Sequence, residues 1–309
     1  MWPLCKRFSY MERRELFFDY YYHIAFRDKK RDSNGKWTVV PSSANVWYAD
    51  PFLFEWDGKR YLFAERMNRW RLIGSIAVCE IRKDGSLSKF KEVIVEPFHL
   101  SFPNVFEYDG QIFMIPESGW NKDIRLYRAT NFPLQWEFVK ALTEGVNFVD
   151  TAFLSKIENG TAFLSSYDWD SRSSCYFKLD LNCMELNQLP DNPLMMNERN
   201  GGNAFMRDGM IYRVLQDCSD HYGSKVMIRR IDNKDYLSGH AVDSPSSEIL
   251  ADNLLINKKW KPKWCHTYNQ SEHLEVIDFM VEHFVWFGPI LCLRNKVFYE
   301  RHKDLLGEA

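Results

Sequence analysis

The segment Ala49–Glu65 reads ADPFLFEWDGKRYLFAE: an apolar run, an Asp-Gly pair, and a second aromatic run. An Asp-Gly or Asn-Gly pair between two apolar runs marks a tight β-hairpin, because both turn residues need positive φ. The same design recurs three times, as SFPNVFEYDGQIFMIPES (101–118), VDTAFLSKIENGTAFLSSY (149–167) and NGGNAFMRDGMIYRVLQD (200–217). The turn glycines are Gly58, Gly110, Gly160 and Gly209, so successive spacings are 52, 50 and 49 residues. Each hairpin is followed by an alternating third strand (GSIAVCEIR, DIRLYRAT, SCYFKLDL, KVMIRRI) and then a more polar fourth stretch.

Four strands per unit at a period near 50 is the pattern of a β-propeller blade. A β-sandwich requires no such constant period. WCHTYNQSEHLEVIDFM (264–280) supplies a weaker fifth unit, and WTVVP (37–41) offers a strand to close the ring. The sequence thus predicts an all-β, five-bladed propeller over 37–280, an N-terminal extension over 1–36, and a C-terminal tail over 281–309. ERRELFFDYYYHIAF (12–26) has a helical apolar period and either forms a short helix or leads directly into the ring. Gly288-Pro289 is expected to break any long helix in the tail.

Composition narrows the function. The 309 residues carry 40 Lys+Arg against 42 Asp+Glu, a net charge of −2 that gives a nucleic-acid partner no support. Seven scattered cysteines form no C-x-x-C pair, which suits a reducing compartment without a disulfide framework. No secretory leader pattern opens the chain, and no run reaches the ~18 apolar residues of a spanning helix. A soluble, cytoplasmic protein is the expectation. The tail HFVWFGPILCLRNKVFYERHK (283–303) mixes aromatics with basic residues, so it either packs on the propeller or provides peripheral membrane contact.

In a propeller the first strand of each blade lines the central channel, so residues at those strand starts converge although about fifty positions separate them. These are Asp50, Pro103 or Asn104, Asp150, Arg199 to Gly201, and His266. Second strands run antiparallel and return to the same level, which brings in Glu65, Glu117, Gln216 and Asp217. Paired carboxylates suit glycoside chemistry as base and acid, although aspartates at strand entrances also accept backbone hydrogen bonds. Trp47, Tyr48, Phe102, Trp120 and Tyr222 stand near these entrances and offer faces on which sugar rings stack.

WYADPFLFEWDGKRYLFAE resembles the first blade of family-43 glycoside hydrolases, and FVDTAFL resembles their third. That resemblance implies Asp50 as general base and Asp150 as the residue that tunes and orients, and it allows a structural calcium ion on the axis near His266. A closer likeness is to the N-terminal propeller module of plant glucosamine inositolphosphorylceramide transferases and to related bacterial surface-polysaccharide proteins. The matching pieces are ADPF with Glu65, SFPNVFEYDGQIFMIPES, VDTAFL, RNGG…DGMIYRVLQDCSDHYGSKV, and HTYN.

The hydrolases carry their general acid as a Glu at the entrance to blade four. Asp50 stands eight before Gly58; counting eight back from Gly209 lands on Gly201, flanked by Arg199, Asn200 and Gly202, with Glu198 the nearest acid. Loss of such an acid costs on the order of 10²–10⁴-fold in rate. An arginine there suits a phosphate-type leaving group instead. The reading is therefore glycosyl transfer in surface-glycan biosynthesis from a sugar phosphate or sugar nucleotide, with Asp50 as base and Arg199 holding the departing phosphate. A glycoside hydrolase using Glu117 or Glu198 as a displaced acid, and a non-catalytic glycan-binding module, are the alternatives.

Overall fold

The computed structural model of this chain describes residues 17–32, 34–43, 45–190, 199–218, 223–231, 243–249, 256 and 260–306. Strands β1 (Phe18–Asp28) and β2 (Thr38–Val39) come first. Blade one is β3 (Val46–Trp56), β4 (Lys59–Asn68), β5 (Ser75–Glu80) and β6 (Lys91–Ile94). Blade two is β7 (Ser101–Tyr108), β8 (Gln111–Ser118), β9 (Asp123–Asn131) and β10 (Gln135–Glu144). Blade three is β11 (Phe148–Phe153), β12 (Thr161–Asp168), β13 (Ser173–Asp180) and β14 (Glu185–Gln188). Blade four is β15 (Arg199–Arg207), β16 (Met210–Asp217), β17 (Lys225–Ile231) and β18 (Asp243–Ile249). The last blade takes β19 (Tyr268–Gln270) and β20 (Leu274–Phe284) from the C-terminal side and borrows β1 and β2, in the order β19-β20-β1-β2.

Each predicted hairpin forms at its predicted turn. Asp57-Gly58, Asp109-Gly110, Asn159-Gly160 and Asp208-Gly209 all have positive φ at both residues, the backbone that matches the twist of adjoining strands.

Ring closure departs from the expected boundaries. β1 pairs with β20 from Phe18↔Phe284 to Asp28↔Leu274, so residues 18–28 belong to the propeller and not to an extension ending at 36. Tyr21, Ile24, Ala25 and Phe26 are buried. A strand covered on both faces loses the simple alternation that identifies strands, and its apolar spacing then mimics a helix. WTVVP does provide an outer strand, Thr38–Val39. Residues 12–16 of the expected helix lie outside the described residues.

Apolar side chains of neighbouring blades meet as packed wedges. Phe52, Phe63, Phe102 and Met114 join blades one and two, and Phe113, Phe153, Leu164 and Phe177 join blades two and three. Val214, Ile228, Ile277 and Phe279 join blades four and five, and Phe26, Leu62, Cys79 and Val276 join blades five and one. Each such fully buried side chain contributes about 1.5–3 kcal/mol. Among the described residues the seam between blades three and four is poorer in apolar side chains, with Leu154 and Tyr176 as its buried members. There a buried arginine substitutes: Arg213 donates to Asn200 Oδ1 at 3.1 Å, which also accepts Ser165 Oγ at 3.0 Å.

Two features of the inner strands shape the channel. The first is a repeated bulge: pairing slips between Ala49 and Phe52, Ser101 and Asn104, Val149 and Ala152, and Asn200 and Gly202. Asp50, Phe102 and Asp150 occupy it with φ of 47°, 46° and 53°, an αL conformation that bulges use to re-aim a side chain. The second is an asparagine plug a few residues further along. Asn104 and Asn203 exchange side-chain hydrogen bonds at 2.8 and 2.9 Å across the axis. Asn203 Oδ1 also accepts Phe153 N–H, its backbone N–H donates to Asn269 Oδ1, and Asn269 Nδ2 donates to Pro51 O. All five blades are thereby joined.

The C-terminal segment is helical from Gly288 to Leu306 (α1). Gly288-Pro289 starts the helix instead of breaking it, because proline in the first turn lacks an N–H that would be unpaired anyway. The helix lies against the end of the propeller where the second strands finish: Phe298 and His302 pack on Trp120, and Arg294 hydrogen-bonds Arg69 O beside Trp70.

Candidate functional site

The bulges aim Asp50 and Asp150 at the mouth of the channel, and each is braced by an acid of the preceding blade. Asp278 Oδ2 accepts the Asp50 N–H at 3.1 Å, and Glu117 Oε2 accepts the Asp150 N–H at 3.1 Å.

Asp50 is buried, with Oδ1 accepting Thr267 Oγ1 at 2.7 Å and lying 3.5 Å from His266 Nε2. Asp278 is fully buried and also accepts the backbone N–H groups of His266 (3.1 Å) and Thr267 (2.9 Å). His266 Nδ1 is 2.8 Å from Asp278 Oδ2, so Nδ1 carries the proton and Nε2 faces Asp50. Burial opposes charge on His266, but Asp278 and Asp50 outweigh it and raise its pKa. Burial pushes the Asp50 carboxyl up to about 6, reinforced by Asp278 and opposed by His266.

Asp150 is held by a cation. Its Oδ2 accepts Arg199 Nε at 2.6 Å and lies 2.6 Å from Arg199 Nη2, with Gln216 Nε2 at 3.3 Å. The Arg199 guanidinium lies over the Trp169 and Tyr167 rings at 5.3 and 5.9 Å. Asn200 Nδ2 ties Asp150 O to this network at 2.9 Å. Glu117 is pushed up to about 8, first by burial and then by the Asp150 charge, with Arg199 acting the other way. Burial, then Asp50, Glu117 and Asp278, hold Glu65 well above the usual carboxylate range. Its neighbour His99 is 3.4 Å away and is kept neutral by burial, with its pKa lowered to about 3. His99 Nδ1 accepts Gly74 N–H at 3.0 Å, which leaves the proton on the Nε2 that faces Glu65.

At neutral pH the mouth therefore holds an ionised Asp50 whose oxygens are not tied to an arginine, near a protonated carboxyl, Glu117. Their environments separate their pKa values, the arrangement by which two acids divide base and acid roles.

The structure brings Asp50, Glu65, Glu117, Asp150, Arg199, Gln216 and His266 together. It does not bring in all the aromatics. Trp47 is buried against Tyr21 and Met67 and Phe102 packs on Phe52 at 4.7 Å, so these two are core, while half-buried Tyr48 stacks on Phe90 at 3.9 Å against the core. Phe102 rather than Pro103 or Asn104 occupies the blade-two bulge. Trp120 borders the site through His99, with ring centroids 5.3 Å apart. Asp217 pairs with Lys225 at the end of β16, next to Gln216. Tyr222 and Glu198 lie outside the described residues. Sequence reasoning missed Asp278, Thr267 and His99; an aspartate inside the apolar run VIDFM was the available signal for the first.

Asp50, His266 and Asp278 have potential ligand atoms within 4.8 Å of one another. They do not match calcium, which takes 6–8 oxygen ligands: the Asp278 oxygens already accept three backbone N–H groups, and His266 presents nitrogen. A cavity of about 500 Å³ bounded by Trp56, Gln111, Arg128 and Phe132 lies by the hairpin turns, at the opposite end from these carboxyls.

Comparison with known proteins agrees with the fold and shows the family. The family described as glucosamine inositolphosphorylceramide transferase 1, N-terminal, matches residues 36–285. Glucosamine inositolphosphorylceramide transferase 1 of Arabidopsis thaliana is 29% identical over 267 residues, covering 78% of this chain and 33% of that protein. The protein of the same name from Oryza sativa subsp. indica is 32% identical over 197 residues, covering 60% and 26%. The chain thus spans about a third or less of the length of these relatives. Among solved structures, a thermostable family-43 glycoside hydrolase superposes with a TM-score of 0.56 at 15% identity, covering 80% of this chain and 93% of that one.

Proposed function

The chain belongs to the family of the glucosamine inositolphosphorylceramide transferase 1 N-terminal region, and from that premise we propose that its propeller cleaves or transfers a glycosidic bond of a surface glycan or glycolipid. Asp50 is the general base and Glu117 the general acid. Glu117 gives its proton to the departing glycosidic oxygen while Asp50 takes one from the incoming hydroxyl, of water or of an acceptor sugar. The new C–O bond replaces the broken one, and the proton returns from Asp50 to Glu117 through solvent. One observation carries the reading: two buried carboxyls at one mouth, one raised to about 6 and the other to about 8. Glu117 supplies the acid for which blade four has no candidate among its described entrance residues. The asparagine plug supports substrate entry from the acidic end alone.

Transfer from a phosphate-type donor is a second reading, favoured by the word transferase in the names of the relatives. It needs Arg199 to exchange Asp150 for the departing phosphate, in a mouth that also presents Asp50, Asp278, Glu65 and Glu117. Glu65 and Glu117 are held protonated there, but Asp50 and Asp278 keep like charge close to any incoming diphosphate, which disfavours it.

The test is turnover of aryl glycosides and glycolipids against thermal stabilisation by sugar nucleotides. The acid–base reading requires glycoside turnover that Asp50→Asn and Glu117→Gln each abolish. Stabilisation by sugar nucleotides, lost in Arg199→Ala and unaccompanied by glycoside cleavage, would instead establish the phosphate-donor reading. Stabilisation by oligosaccharides with no turnover would make the site a binding module.

A further inference from the structure

Helix α1 turns its inner face to the propeller through Leu291, Phe298 and His302, but its outer face is apolar as well. Ile290, Leu293 and Val297 lie on one side of the helix and are 58%, 66% and 44% exposed. Trp286, 75% exposed, precedes them and meets Phe287, which stacks on the exposed Trp70. Phe284 extends the patch beside Phe17. A soluble surface seldom carries so many large apolar side chains in one continuous run.

The exposed charges beside it are mostly basic. Among the helix residues whose exposure is described, Lys296, Arg301 and Lys303 are exposed against one exposed acid, Glu300. Exposed tryptophans, aliphatic residues on one helix face and flanking cations are the features with which a helix settles into a headgroup layer. Among the described residues no helix is long and apolar enough to cross a membrane, so this would be contact from one side.

The placement of the helix gives the patch a functional meaning. α1 sits at the end of the propeller where Trp70 and Trp120 lie, and Trp120 leads through His99 to Glu65. The apolar face and the acidic mouth therefore share one end of the molecule.

We propose that this end docks on an anionic lipid bilayer, with Trp286, Ile290, Leu293 and Val297 in the headgroup region, and that the glycan handled at the mouth is lipid-linked. The second half rests on the function proposed above; the docking surface does not.

The full chain is sedimented with vesicles of phosphatidylcholine alone and with vesicles in which part of it is replaced by phosphatidylserine. Binding to the second kind, weakened by salt and accompanied by a blue shift of tryptophan emission, is the expected result. The double variant Trp286→Ser/Leu293→Ser should bind roughly tenfold or more weakly, and Lys296→Glu/Arg301→Glu should lose the preference for phosphatidylserine. Asp50→Asn should bind like the unaltered chain. Absence of vesicle binding, or binding unaffected by the serine substitutions, overturns the proposal. So does a concentration-dependent dimer that the serine variant abolishes without any vesicle binding, which would assign the face to a second copy. Turnover of a lipid-anchored glycoside in phosphatidylserine vesicles, compared with a soluble one, separates the two halves. Loss of the preference for the anchored substrate in the serine variant, with soluble turnover retained, supports both halves. Vesicle binding without turnover of either substrate overturns the function and leaves the surface standing.

Discussion

Arg199 Nε lies 2.6 Å from Asp150 Oδ2, with both side chains buried between blades three and four. The cation expected to face an incoming phosphate is thus the partner of a carboxylate. A buried pair contributes little net stability over an apolar substitute, but removing one member strands the other charge, at a cost of about 3–5 kcal/mol. Arg199→Ala should lose that much in urea unfolding, and Arg199→Ala/Asp150→Ala should recover part of it. Unchanged stability in the single variant would contradict a structural pairing.

The two raised carboxyls set the pH behaviour. Activity should rise as Asp50 loses its proton near 6 and fall as Glu117 loses its own near 8, giving a bell with its top between them. In Glu117→Gln any residual activity should no longer fall on the alkaline side. Stability, unlike activity, moves in one direction through both pKa values. Both groups have folded pKa values above their unfolded ones, so the stability they contribute is complete below the ordinary carboxylate range. It is lost as pH rises through about 6 and about 8. Melting temperatures measured from acid to mildly alkaline pH should decline more steeply for the unaltered chain than for Asp50→Asn or Glu117→Gln.

Asp278 acts through its neighbours. It accepts backbone N–H groups of Asp50, His266 and Thr267 and faces His266 Nδ1. Asp278→Asn keeps the shape and removes the charge that raises the His266 pKa. The imidazole resonances of His266 should titrate at lower pH in this variant, and the acidic limb of activity should move down as Asp50 loses a like-charged neighbour. Glycoside turnover with an unshifted pH profile would limit Asp278 to a scaffold role.

The parts of this architecture that were legible in the sequence are local. Turn glycines and the αL aspartates are dictated by backbone sterics at single positions, so four hairpins and the convergence of Asp50, Asp150, Glu65 and Glu117 could be read along the chain. The fifth blade could not. Its strands come from residues 18–39 and 268–284, and pairing between the two ends leaves no period to detect. Asp278 was hidden for the same reason, since it occupies the second strand of the blade with the weakest hairpin signal. Trp47, Tyr48 and Phe102 misled because closeness in sequence to an entrance does not fix side-chain direction. The bulge that sends Asp50 to the mouth has Phe102 in the next blade buried against Phe52.

Asn203 offers the sharpest test of ring closure. Its side chain satisfies Asn104 and the Phe153 N–H, and its backbone donates to Asn269, which holds Pro51 O in turn. An apolar replacement of similar size, Asn203→Leu, removes the acceptor of Phe153 N–H and the donor to Asn104 Oδ1, while Asn104 Nδ2 keeps Thr151 O at 3.1 Å. Each stranded group costs about 1–3 kcal/mol, and the losses couple because the same asparagine serves several blades. Asn203→Asp is the informative comparison: it keeps acceptors for Phe153 N–H and Asn104 Nδ2 but loses the donor to Asn104 Oδ1 and adds a charge near the axis. Both variants should lower the urea midpoint, and amide exchange should quicken at Phe153 and along β19 before it does in the outer strands. Were exchange to quicken first at the outer strands, the plug would not be what holds the blades together.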